Sequence, residues 1–267
     1  MFDSEAATSG GESGSESMPT MGFLDHLEEL RKRLVYSILA VIAGASVCWI
    51  FREQIYGVMQ KPIVDALREH HLPEKLVYVN PTDPFNLYLK IAMMAGLFLT
   101  SPFVLYQVWM FISPGLYRNE KKYVVPFMVS TIALFSLGGY FGYRIAYPRA
   151  LNFFIGFSPQ FQPMITIGEY TSLFMSIVLG MGVIFEMPIL VFFLAFMGIM
   201  TPSFMIKNFR YAILVIFILA AIVTPTPDVV NMCVFAAPML ALYALSIGVA
   251  YVVHPKQRQA RKEKQAA

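Results

Sequence analysis

Phe23-Leu-Asp-His-Leu-Glu-Glu-Leu-Arg-Lys-Arg-Leu34 decides how the rest of the chain is threaded. Phe23, Leu27, Leu30 and Leu34 recur at helical spacing and form one apolar stripe. On the other face Glu28 stands four residues before Lys32 and Glu29 four before Arg33, the favourable order for ion pairs along a helix. A helix of this kind is expected to lie on a membrane surface and then turn in, because the first long apolar run begins where it ends. Arg31, Lys32 and Arg33 hold that end on the cytoplasmic side.

The composition agrees with a membrane setting. Mean hydropathy is +0.59. The chain is 57% hydrophobic and 14% charged, where soluble domains carry about 25% charge. The net charge of +3 is small, so the placement of charges says more than their sum. Cys48 and Cys233 sit inside apolar runs and read as small packing residues, not as a disulfide or metal cluster. His26, His70, His71 and His254 fall outside the apolar runs, and neither HExxH nor a phosphate loop occurs, so no enzyme, metal or cofactor constellation is expected. There is no nucleic-acid signal; the basic tail reads as an orientation and lipid-surface anchor.

The expected fold is all-α, a polytopic membrane protein with six transmembrane helices. Residues 1–20 are polar and read as a disordered tail, and 21–255 form the membrane domain. The spans are about 34–51, 85–112, 123–143, 170–197, 208–223 and 229–253, followed by a basic cytoplasmic tail over 256–267. The first outer loop carries Ile55, Val58, Met59, Ile63 and Leu67 at helical spacing, which predicts an interfacial helix kinked at Pro62. Ser101-Pro102 is expected to bend the second span. A second outer loop is expected over 144–168, and a short turn over 198–208. The fifth apolar run, Tyr211–Val223, would extend only about 20 Å against a hydrocarbon core of about 30 Å. Either the bilayer thins there or residues 208–211 lengthen the helix. Six spans put both termini on one side. Thirteen Lys and Arg residues then fall on the inner segments and six on the outer loops, which assigns both termini to the cytoplasm.

Three acids have the chemistry to carry function. Glu186 lies in the middle of a span, where a carboxylate costs about 2.5–3.5 kcal/mol on insertion scales. It is either a neutral acid bonded to a carbonyl freed by Pro188, or a functional group facing a polar cavity or partner. Used as a proton relay, it would make the chain a proton-coupled small-molecule carrier. Glu29 and Glu120 both belong to the predicted cytoplasmic face. Paired acids in a basic surround suit an arginine-bearing ligand, since guanidinium and carboxylate match in a two-pronged geometry. The competing reading is that Arg33 neutralises Glu29 and that Lys121 or Lys122 neutralises Glu120.

Four segments together carry a family resemblance: His26-Leu-Glu-Glu-Leu-Arg-Lys-Arg-Leu34, Leu105-Tyr-Gln-Val-Trp-Met-Phe-Ile-Ser-Pro-Gly-Leu-Tyr-Arg-Asn-Glu120, Phe185-Glu-Met-Pro188 and Thr224-Pro-Thr-Pro-Asp228. Over about residues 20–255 the chain resembles the TatC family, the multispanning receptor of the twin-arginine protein translocase. The resemblance implies a concave, glove-like arrangement of six spans in the bacterial cytoplasmic (inner) membrane, without cofactors. It implies binding of the twin-arginine signal peptides of folded cargo proteins, recruitment of the single-span proteins TatB and TatA, and contact with other copies of itself. Glu29 and Glu120 match the acids that hold the two arginines, with Arg31, Arg33, Phe111, Leu116 and Lys121 around them. Glu186 and Asp228 match acids that meet a partner helix or an inserted signal, and Pro62 and Pro102 match structural prolines. The last turn, Thr-Pro-Thr-Pro-Asp, is one residue longer than the usual form, and Asn231 stands where some members carry Gln.

Overall fold

The computed structural model describes residues 23–112, 124–157, 160, 163–196, 200–223 and 229–266. They form helices α1 (Phe23–Ile50), α2 (Arg52–Glu69), α3 (Asp83–Ile112), α4 (Val124–Phe141), α5 (Tyr147–Phe157), α6 (Ile167–Ile184), α7 (Met187–Phe196), α8 (Pro202–Lys207), α9 (Phe209–Val223) and α10 (Val229–Ala266). Among the described residues the extended pairing is one parallel bridge, Val77 to Thr166. Four stretches are long and apolar enough to cross a membrane: Asp25–Ile50, Asp83–Ile112, Val125–Phe157 and Ile167–Ala195. Phe209–Ile222 and Phe235–Gly248 are shorter apolar helices.

The amphipathic opening does not turn into the membrane as a separate piece. It is continuous with the first apolar run in α1, because no Gly or Pro interrupts the helical pattern between Phe23 and Ala43. Leu34, Ile38, Leu39 and Ile42 stay exposed on this helix, an apolar face suited to lipid. Its inner face packs on α3 through small residues. A Cβ at Gly96 would stand 2.4 Å from the Ala45 nitrogen, so the two backbones touch where only hydrogen fits. Just past the end of α1 the Arg52 guanidinium lies over Trp49 (5.4 Å) and Tyr88 (5.8 Å).

The expected helix in the first outer loop is present as α2, but its apolar face is covered by protein. Met59, Ile63 and Leu67 are buried, and α2 packs against α3 and α5. Pro62 lies inside α2 and lacks the N–H that would satisfy the Val58 carbonyl. The Tyr143 hydroxyl supplies that hydrogen bond at 2.8 Å. Tyr170 donates in the same way to the Met59 carbonyl. Pro102 lies inside α3 and frees the Phe98 carbonyl, to which Ser101 Oγ donates at 2.8 Å. Each structural proline is therefore matched by a hydroxyl that takes over the lost bond. The Arg68 guanidinium makes two 2.9 Å bonds to Glu74 across the start of the next loop and holds its carboxyl below the usual range.

The second outer loop expected over 144–168 is corrected. A π-helical turn, Gly142–Ala146, carries α4 directly into α5, closed by Tyr147 N–H to the Gly142 carbonyl. Arg144, Pro148 and Arg149 read as loop residues, yet Pro148 sits in α5 directly after the π turn, where the helical ladder is already irregular. Ala146, Tyr147, Ala150, Leu151 and Ile155 recur on one buried face. Tyr147 is fully enclosed, edge-on to Tyr170 and Phe174.

Other boundaries move for similar reasons. The fourth span is two helices, α6 and α7, parted at Phe185–Glu186. Thr166 caps α6 by accepting from the Glu169 N–H. The turn expected over 198–208 contains α8, capped by Thr201 accepting from the Phe204 N–H at 3.2 Å, with Pro202 in its first position. The fifth helix begins at Phe209, two residues before the apolar run, and at 15 residues it is still short. α10 continues through the basic segment to Ala266 instead of ending near 253. Cys48 is a buried packing residue as expected, whereas Cys233 is exposed on α10. α10 packs against α7 and α9, and Tyr243 donates to the Met205 carbonyl of α8 at 3.1 Å.

Candidate functional site

The first turns of α1 and the last turns of α3 lie side by side and bring Glu29 and Arg33 near the end of α3, where Phe111 lies. Arg33 Nη2 meets Glu29 Oε1 at 3.3 Å, the i,i+4 pair expected from the spacing. The Glu28–Lys32 pair does not form among the described residues. Arg33 Nη1 reaches across to α3 and donates to Gln107 Oε1 at 3.0 Å. The side chains of Glu29 and Arg33 keep only 17% and 22% of their surface. Glu29 Oε2 and Arg33 Nε are buried and have no hydrogen-bond partner among the described residues. One oxygen of the carboxylate is thus bonded and the other is not.

His26, one turn before Glu29, stacks on Phe111 with ring centroids 4.3 Å apart. Phe111 therefore stands beside the helix that carries Glu29. Arg31 and Lys32 are exposed. Below the ion pair, Trp109 is buried, donates to Thr131 Oγ1 at 3.1 Å, and stacks on Phe127. These contacts fix the end of α3 against α4. Leu116, Glu120, Lys121 and Asp228 lie outside the described residues. Glu120 follows the end of α3 by eight positions.

Glu186 sits apart from this cluster, at the break between α6 and α7. Its N–H bonds the Val183 carbonyl at 3.1 Å, and its own carbonyl accepts from Leu190 N–H at 3.0 Å. The carboxyl atom Oε1 is buried without a partner. Pro188 and the break keep this segment from being one regular helix. Among the described residues no group of His, Cys, Asp and Glu is arranged to hold a metal.

Sequence reading missed Gln107, Tyr143 and Tyr170. Gln107 is 4% exposed in the last quarter of an apolar helix, so it had to find a polar partner. That is the same signal that drew attention to Glu186. The two tyrosines carried no local signal, because their acceptors are distant in sequence.

Residues 25–238 match the model of the family described as Sec-independent protein translocase protein, TatC. The chain belongs to the TatC family. A TatC protein of Koribacter versatilis is 62% identical over 252 residues, 94% of this chain and 93% of the relative. One from Carboxydothermus hydrogenoformans is 37% identical over 89% of this chain and 96% of its own length. A crystal structure of a twin-arginine translocase receptor, TatC, superposes with a TM-score of 0.75 at 34% identity, covering 85% of this chain and 99% of that one. TatC proteins are transport components and not enzymes, and the carrier reading built on Glu186 gives way to protein translocation. As a TatC chain this is a multi-pass protein of the bacterial inner membrane.

Proposed function

We propose that this chain is the receptor subunit of a twin-arginine translocase, binding the twin-arginine signal peptides of folded cargo at its cytoplasmic face. The observation that carries the proposal is Glu29: a largely buried carboxylate with one oxygen unpaired, beside the ring pair His26–Phe111. A second acid, Glu120, is tethered eight positions beyond α3 and completes an arginine-pair receptor. Arg31, Arg33, Phe111, Leu116 and Lys121 are the further residues assigned to signal recognition by the family resemblance.

Six spans then run through α1, α3, α4–α5, α6–α7, α9 and α10, with both termini in the cytoplasm as the basic residues require. The apolar part of the signal passes towards Glu186. TatB and TatA dock on the short helices α9 and α10, and further copies of the chain assemble with them for transport driven by the proton-motive force. Asp228 joins the partner contacts at the last outer turn.

Each charge-assisted pair is worth about 1.5–3 kcal/mol. Glu29→Gln and Glu120→Gln should therefore each weaken a fluorescent twin-arginine peptide by about ten-fold or more. Titration of the purified protein in nanodiscs measures this. Wild-type affinity in both variants would defeat the proposal.

A further inference from the structure

The two unpaired atoms at the Glu29–Arg33 pair are complementary. A guanidinium and a carboxylate bond best when two N–H groups face two oxygens side by side. Here one such bond exists, at 3.3 Å. Glu29 Oε2 and Arg33 Nε, an acceptor and a donor, are both buried and both unused. They are the atoms that would make the second bond.

What restrains the guanidinium is on the other helix. Arg33 Nη1 donates to Gln107 Oε1 at 3.0 Å, a shorter contact than the ion pair. Gln107 is 4% exposed and lies two residues from Trp109, itself buried and bonded to α4. The amide is therefore a fixed point. It is also neutral, so it holds one arm of Arg33 without cancelling the charge that Glu29 faces.

We propose that Gln107 is a positioning residue that keeps Arg33 from closing on Glu29 with both arms, and so leaves the buried Glu29 Oε2 without an internal bond, for an arginine of the signal peptide to take as it enters. This rests on the reading of Glu29 as a receptor carboxylate. An incoming guanidinium then takes a free oxygen, and has only one long internal bond to compete with. With Gln107 gone, Arg33 turns onto Glu29, and the ligand must first displace a closed two-bond pair.

The test is a double-mutant cycle with the full chain in nanodiscs and a fluorescent twin-arginine peptide. Gln107→Leu should weaken binding by about ten-fold, the scale of one charge-assisted bond. Gln107→Met, of similar length and without an acceptor, should do the same and stands in if the leucine variant does not fold. In an Arg33→Gln background the Gln107→Leu change should move affinity by less than about two-fold. A purely structural Gln107 would instead give the same loss in both backgrounds, and that result, or parental binding by Gln107→Leu, overturns the proposal. Glu29→Gln is measured alongside. If it weakens binding while the Gln107 variants are neutral, this proposal alone fails; if it binds normally, the receptor reading fails with it.

Discussion

Gly96→Val should prevent the chain from reaching its folded state. A Cβ at this position would lie 2.4 Å from the Ala45 nitrogen, 2.6 Å from the Ala45 Cα and 2.9 Å from the Gly44 carbonyl carbon. All three are backbone atoms, so no rotamer change relieves the clash. The whole of α1 must move away from α3. Ordinary overpacking costs about 1–3 kcal/mol, and a backbone-on-backbone clash lies at or beyond the top of that range. The same displacement would pull Arg33 off Gln107, so the candidate site would be lost with the fold. Gly57→Ala is the control. Nothing lies within 4 Å of its added methyl, and alanine in a helix interior is favoured by up to about 1 kcal/mol. Thermal unfolding of both variants in detergent, and their accumulation in membranes, separates the two cases. A Gly96→Val protein with parental stability would contradict the packing described for α1 and α3.

Tyr170→Phe should be the most damaging single-atom deletion in the outer part of the molecule. Tyr170 is 1% exposed, and its hydroxyl satisfies the Met59 carbonyl in α2. Removing the donor takes a hydrogen bond from this carbonyl at a site where water cannot replace it, at about 1 kcal/mol or more. Its neighbour gives the contrast. Tyr143 donates to the Val58 carbonyl, the group freed by Pro62, but that bond is exposed. After Tyr143→Phe the carbonyl turns to water, and the loss should stay below about 1 kcal/mol. Unfolding in detergent should therefore rank Tyr170→Phe well below Tyr143→Phe in stability. Equal stabilities would mean that the buried bond does not hold α2 in place.

Features written in local pattern were readable from the sequence, and those made by distant partners were not. The apolar runs gave the four long membrane-crossing stretches and the two shorter helices, and the apolar stripe of α2 gave a helix within the first loop. The segment from 144 to 157 was read as loop because two arginines and a proline within six residues mask a stripe that is buried only once α6 packs on it. Helix α8 was missed although Thr201-Pro202 is a start signal, since six residues leave little periodicity to read. The Glu29–Arg33 pair was legible because i,i+4 geometry is local. The Gln107 bond spans 74 positions, and the Tyr143 and Tyr170 bonds span 85 and 111. Such bonds depend on how helices cross, which residue spacing does not encode.

The most direct measurement is photocrosslinking from the ligand. A signal peptide with a photoreactive residue next to its arginine pair, and a twin-lysine counterpart, would be presented to this chain in inverted inner-membrane vesicles, and the crosslinked residues mapped. Arginine-dependent crosslinks confined to residues 26–34 and 111–121 are the expected result. Crosslinks that are the same for the lysine peptide, or that fall elsewhere on the chain, would contradict the assignment of Glu29 and Glu120 as the receptor for the arginine pair.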